Sequence, residues 1–306
     1  MDSLPQHVYD TVDAHLDAIE TRHDVAVVLA AARGSHAWGA ASPDSDYDVG
    51  FVFVPDDLRR YAHLNGPPAV LTADNGEFEY QGWDVRKFAS LLADSNDGAI
   101  DLCRSSIRYR TTYDPPDLVT YVERTYNAID LYHAWRGIAT SNYRKYISHH
   151  LVRTDDATFP IVEQRADEFV VETDDGTMTV DRDDERFAET QTRPTVKRNL
   201  TICRAAMAAR YLKATGDGGE HELPAIEFDQ FLTEQAPTVF ADDRIDLAWD
   251  LLDRKRHGEG GATVGDAVGR EFAQPPVAID PGVHANDGPD LDRLNAFVDE
   301  LIASVQ

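Results

Sequence analysis

The sequence predicts an α/β domain followed by an α-helical one, and three observations carry that expectation. Val25–Ala32 is a short, unbroken apolar run, the pattern of a strand buried on both faces. Residues 77–83, EFEYQGW, alternate polar and apolar side chains with the period of a half-buried strand. From residue 117 onward, apolar residues recur at three- and four-residue spacing, which builds the buried stripe of a helix.

In chain order, residues 5–21 predict an amphipathic helix. Pro5 suits its first turn, and Val8, Val12, Leu16 and Ile19 share one face. His7 and His15 read as surface residues, not ligands. After the Val25–Ala32 strand, Gly34-Ser35 breaks the chain. Gly34 lacks a Cβ, so backbone amides can approach a ligand closely, and Ser35 adds a hydroxyl. A polar stretch from Ala41 to Ser45 leads into a second strand. Side chains alternate along a strand, so Asp46 and Asp48 fall on one face. Tyr47, Val49, Phe51 and Phe53 point the other way. Two adjacent carboxylates repel, and a divalent cation between them removes the conflict. Magnesium suits all-oxygen ligands and bridges carboxylates to substrate phosphates. The stretch is therefore a candidate site for a metal-bound nucleoside triphosphate.

Pro55-Asp56-Asp57 starts a short helix or turn with an aspartate cap, and Asn65-Gly66-Pro67-Pro68 ends it. Two acids compete as the partner of the aspartate pair. Glu79 lies mid-strand in EFEYQGW. Asp84 opens the helix VRKFASLLADS, where an N-cap is a sufficient structural role. Glu79 is preferred. Arg86 and Lys87 sit in the first turn of that helix, where the dipole disfavours cations. Either a nearby phosphate or a salt bridge to the acids accounts for them.

Pro115-Pro116 marks a domain boundary. It separates a first domain, 1–112, from a helical domain, 115–306. Tyr132, Trp135 and Tyr143 keep helical spacing and read as core, and His133 reads as a hydrogen-bonded helix residue. Residues 153–194 read as a solvated acidic insertion holding one β-hairpin, with its turn at Asp175-Gly176. The spacing of Leu200, Cys203, Met207 and Tyr211 predicts a helix over 195–214 with these residues as its buried stripe. Lys197 and Arg204 lie two turns apart on another face. Helices at 241–256 and 290–304, separated by breaks at 257–261 and 275–289, read as scaffold.

Of 306 residues, 55 are acidic and 29 basic, a net charge of −26. That balance argues against broad, unaided nucleic-acid binding but allows a local basic groove. It also suits a salt-loving host, where self-repulsion is screened. Cys103 and Cys203 stand outside any metal-ligand spacing. With no signal peptide and no bilayer-spanning run, a reduced cytoplasmic location is expected, with no membrane partner.

Gly34-Ser35, a short spacer and Asp46-x-Asp48 resemble the signature of the DNA polymerase-β-like nucleotidyltransferase superfamily. GSHAWGAASPDSDYDV, then GWDVRKF, then SN with Asp101, is similar to the RlaP-type predicted nucleotidyltransferases associated with RNA repair. The resemblance implies a mixed sheet covered by helices and a second domain that closes the cleft. It implies two metal ions, magnesium or manganese, held by Asp46, Asp48 and a third acid, Glu79 or Asp84. Gly34, Ser35 and Ser45 would hold phosphates, and Lys197 and Arg204 match a family Lys and Arg. The activity implied is transfer of an NMP from an NTP to a hydroxyl acceptor, an RNA or DNA end in RNA repair. Two alternatives stand beside it: a small-molecule or protein adenylyltransferase of the antibiotic-modifying or antitoxin kind, and a non-catalytic nucleotide-binding regulator.

Overall fold

The computed structural model describes residues 4–112, 116–173, 175–190 and 192–305. Its first element, α1 (Gln6–His23), buries Val8, Val12, Leu16 and Ile19. It lies on one face of a sheet built from β1 (Val25–Ala32), β2 (Tyr47–Pro55), β3 (Val70–Asp74), β4 (Phe78–Asp84) and β5 (Arg108–Thr111). A short turn of helix, α2 (Gly34–Ala37), links β1 to the loop before β2. The strand order is β3-β4-β2-β1-β5. β2 and β4 run parallel and the other pairs antiparallel, so the sheet is mixed.

Alternation along β2 sends Val49, Phe51 and Phe53 toward α1. Val52 and Val54 point into the opposite core. That core is filled by α3 (Val85–Ala93), α4 (Asp97–Arg104), α5 (Pro116–Arg124) and α6 (Ala128–Asn142), which contribute Phe88, Leu102, Leu118 and Tyr132. Helices beyond residue 116 thus share one core with the sheet. The break expected at Pro115 lies outside the described residues.

The segment read as an insertion with one hairpin holds a complete second sheet. β6 (His150–Arg153), β7 (Thr158–Gln164), β8 (Glu168–Thr173), β9 (Gly176–Asp181) and β10 (Phe187–Glu189) pair antiparallel in the order β10-β6-β7-β8-β9. The hairpin is its β8–β9 pair. A small core of Leu151, Phe169, Val171 and Val180 holds it.

Next comes α7 (Val196–Asp217), buried along most of its length. Its sequence pattern implies a single stripe, but Ile202, Ala205, Ala206 and Ala209 are buried as well as Cys203 and Met207. Small residues on several sides let neighbours press against most of the circumference, as a central helix requires. The remaining helices are α8 (Phe228–Gln230), α9 (Asp242–Arg256), α10 (Arg270–Ala273), α11 (Pro281–His284) and α12 (Leu291–Ala303). α12 returns Leu294, Phe297 and Leu301 to the core beneath the sheet. Fully buried Asn199 ties the 262–268 loop to the start of α7. Its amide donates to the Thr195 and Gly265 carbonyls, each at 3.0 Å, and its oxygen accepts from Ala267 N–H at 3.1 Å. Among the described residues no helix is long and apolar enough to cross a membrane.

Candidate active site

A cavity of about 420 Å³ opens where the loop between β1 and β2 faces α7 and α9. Gly34 and Ser35 form one wall, at the start of α2. Gly34 sits at φ +56°, and an added Cβ would fall 1.9 Å from Asp48 Oδ2. Only glycine lets this bend and this carboxylate occupy adjacent space. Arg33 N–H donates to the Asp48 carbonyl at 2.8 Å, fixing the bend against β2. Behind it, buried His36 stacks on Tyr47 with centroids 4.4 Å apart, and Tyr47 stacks on Phe78 at 4.9 Å. Burial lowers the His36 pKa and favours its neutral form.

Asp46 precedes β2 and is exposed, whereas Asp48, within the strand, is half-buried. Burial raises the Asp48 pKa, only partly countered by the Arg33 and Lys197 cations, while Asp46 pushes it further up. The Asp48 carboxylate is therefore short of positive charge. Arg33 is held by Gln81 Oε1 at 2.5 Å and lies 4.9 Å over the Trp83 ring.

Strand register discriminates between the two candidates for the third acid. In the parallel β2–β4 pair, Asp48 stands opposite Glu79. Glu79 lines the cavity with Asp46 and Asp48. Asp84 is absent from the cavity wall and is occupied elsewhere. Its carboxylate accepts Arg86 N–H at 3.0 Å as the cap of α3 and Tyr61 O–H at 2.5 Å. A catalytic role for Asp84 is therefore corrected to a structural one: it stands opposite Phe53 at the far end of the strand pair, buried beneath Tyr61. Asp46, Asp48 and Glu79 line one space without closing into a cage. Among the described residues no three His, Cys, Asp or Glu side chains are grouped to hold a metal ion. The donors present suit an ion that takes one or two carboxylates and completes its shell with phosphate oxygens and water, as magnesium does.

The opposite wall is cationic. Lys197, in the first turn of α7, is exposed in the cavity. Arg204 lies 4.2 Å over the Trp38 ring and pairs with Asp101 at 3.3 Å. Asp101 thus steadies Arg204, and Asn96 caps α4 through Ala99 N–H at 3.1 Å. Lys255, on α9, is a third cation, in a helix whose sequence pattern reads as scaffold. It is 7% exposed, and its ammonium donates to Ser45 Oγ at 2.9 Å and Ser42 Oγ at 3.2 Å. Burial lowers its pKa, Lys197 lowers it further, and Asp44 and Asp46 pull it back. Ser45 is thereby a loop anchor: its Oγ also accepts Ser42 N–H at 2.9 Å. Gly258–Gly261, read as a plain break, completes the wall. A Cβ on Gly260 would lie 2.8 Å from Lys255 Cδ. The scarcity of lysine, five in the chain, was the signal that could have singled out Lys255.

A second cleft of about 640 Å³ lies across the same acids. Gly34, Trp38, Asp48 and Glu79 line both spaces, and Arg33, Thr72, Asp74 and Gln81 belong to the second alone. The carboxylates therefore stand at a boundary between two adjoining spaces, one bordered by three cations and the other by one.

A family model described as "RlaP: RNA repair pathway DNA polymerase beta family" matches residues 8–300. The "Uncharacterized protein YcgL" of Bacillus subtilis (strain 168) is 33% identical over 94 residues, covering 31% of this chain and 36% of that protein. The chain thus spans about a third of that relative's length. No solved structure matches the chain.

Proposed function

The chain belongs to RlaP, the RNA repair pathway DNA polymerase beta family, and from that premise we propose a metal-dependent nucleotidyltransferase that moves an NMP from an NTP to a hydroxyl acceptor, releasing pyrophosphate. One observation carries this reading. A glycine-serine bend, four carboxylates (Asp44, Asp46, Asp48 and Glu79) and three cations from distant parts of the chain border a single cavity.

In this reading the terminal phosphates lie against the Gly34-Ser35 bend, between Lys197, Arg204 and Lys255. Fixed cations and amides aimed at charge that grows on the leaving group need no reorganisation as the reaction proceeds, so positioning and electrostatics supply most of the acceleration. Arg204 is held by Trp38 and Asp101, and Lys255 by two serines, so both are preorganised. Asp48, with Asp46 and Glu79, would hold magnesium or manganese, which when bound would offset pyrophosphate charge and acidify the acceptor hydroxyl. The second cleft would receive the acceptor, since Asp48 and Glu79 border it too. An RNA end is the acceptor favoured by the family's description.

The test incubates the protein with each labelled NTP, magnesium or manganese, and a panel of RNA, protein and small-molecule acceptors. Acceptor labelling with pyrophosphate release is expected. Labelling confined to small molecules or proteins would reassign the acceptor. Tight NTP binding without pyrophosphate release would make the chain a nucleotide-binding regulator.

Lys255→Met is expected to lower kcat/KM for NTP about tenfold or more, since hydrogen bonds to charged groups contribute roughly 1.5–3 kcal/mol. The thermal midpoint should hold or rise, because methionine fills the stem's volume without burying a charge. Unchanged kcat/KM would remove Lys255 from the phosphate site.

A further inference from the structure

One cleft in this acidic protein has no carboxylate among the described residues of its wall. It lies between the end of α6 and the second sheet, with a volume of about 650 Å³. Arg136, Arg144, Lys145 and His150 line it, with hydroxyls such as those of Thr140 and Thr190. Acids outnumber bases 55 to 29 over the whole chain, so this wall runs against the composition.

The cations here are not neutralised as others on the surface are. Arg153, Arg165 and Arg186 each grip a neighbouring Asp or Glu. Arg136 instead donates to the Pro275 carbonyl at 2.8 Å. Arg144 and Lys145 are exposed on a π-helical turn, Tyr143–Ile147, which swings them off the end of α6. Lys145 and Arg198 lie 5.0 Å and 3.7 Å from the centre of the Tyr146 ring. That ring carries the Arg198 guanidinium on its face, and among the described residues Arg198 has no acidic partner. Thr140 Oγ1, in the cleft wall, is buried without a hydrogen-bond partner among the described residues.

These residues form a strip. Arg136 to Arg144 covers about 12 Å of helix axis, more than one phosphate occupies. Across Tyr146 the strip reaches Arg198, whose neighbour Lys197 lines the catalytic cavity. We propose that the strip is the landing surface for single-stranded nucleic acid, whose phosphodiester backbone crosses the cleft and runs toward the catalytic cavity. The groove is concave and polar, and its hydroxyls can donate to phosphate oxygens. A membrane-binding face would instead present apolar side chains for insertion. The inference deepens the nucleotidyltransferase reading by saying how a nucleic-acid acceptor would be held, but it is tested by binding alone.

The experiment titrates the full chain and the Arg144→Ala/Lys145→Ala variant against a fluorescein-labelled single-stranded RNA, by anisotropy, over a series of salt concentrations. Each phosphate that the protein no longer neutralises flattens the log-affinity versus log-salt slope by about 0.7 for a single strand. The double variant should therefore bind about tenfold more weakly at low salt, with a slope shallower by about 1.4. Equal affinity and slope in the two proteins would overturn the proposal. So would a loss of binding to phosphatidylserine vesicles in the variant with RNA affinity intact. A failure of the catalytic reading would be seen separately, as absent NMP transfer with this RNA titration unaffected.

Discussion

Asp48→Asn is expected to abolish nucleotidyl transfer, a fall of at least ~10³-fold or about 4 kcal/mol of transition-state stabilisation, while the protein stays folded and melts no lower. The variant keeps the shape of the side chain and removes its charge. In the native protein that charge lies near Arg33 and Lys197 and borders both the cation-lined cavity and the second cleft. An amide oxygen is a weak substitute for a carboxylate toward a hard cation. The stability half follows from the raised pKa. Burial lifts the folded-state value above the ordinary 3.8, so between those values the unfolded chain releases its proton first. Asp48 therefore costs stability as pH rises through that window, and the full cost persists above it. The variant's advantage in thermal midpoint should be widest near neutral pH and close as pH falls below the ordinary value. Label transfer at the native rate in Asp48→Asn would sink the catalytic assignment. A collapsed midpoint would mean the aspartate is structural.

Gly34→Ala should be nearly as damaging, by a different route. The left-handed backbone at φ +56° costs a residue with a Cβ about 1–2 kcal/mol. The new methyl would also meet Asp48 Oδ2 at 1.9 Å, so either the bend or the carboxylate must move. A displacement near 1 Å at a reacting centre costs about 10²-fold in rate. Gly66→Ala, in the loop before β3, where an added Cβ would lie at an ordinary 3.7 Å from the Arg60 carbonyl oxygen, is the control. The Gly34 variant should lose transfer out of proportion to its loss of stability, read by pairing steady-state rates with denaturant titration. Proportionate losses would reduce Gly34 to an ordinary turn residue.

What the sequence disclosed was chiefly what is local. Asp46, Asp48 and the Gly34-Ser35 bend lie within a dozen or so residues, and the two-residue period of a strand was enough to relate the acids. The preference for Glu79 over Asp84 rests on Asp84's value as a cap; the structure has Asp84 in that cap and Glu79 opposite Asp48. The contact of Lys255 was out of local reach because its hydrogen bond to Ser45 spans 210 positions, and only the scarcity of lysine, not α9's own pattern, marks the residue out. The second sheet was mostly missed because its strands are short and wet. β7 is exposed or half-exposed throughout, so its alternation is nearly silent. α7 was under-read for the opposite reason: it is buried on all but the cavity-facing side at its start, and periodicity fades when most faces are packed.

The hydrogen bond between Lys255 and Ser45 also has a bearing on when the cavity is completed. The acids are synthesised early and their facing cations late. A chain emerging from the ribosome can complete its first sheet long before α9 has been made. Through that interval the clustered acids have Arg33 beside them but lack the facing cations of α7 and α9. The cation-lined wall is therefore the last part of the cavity to be put in place.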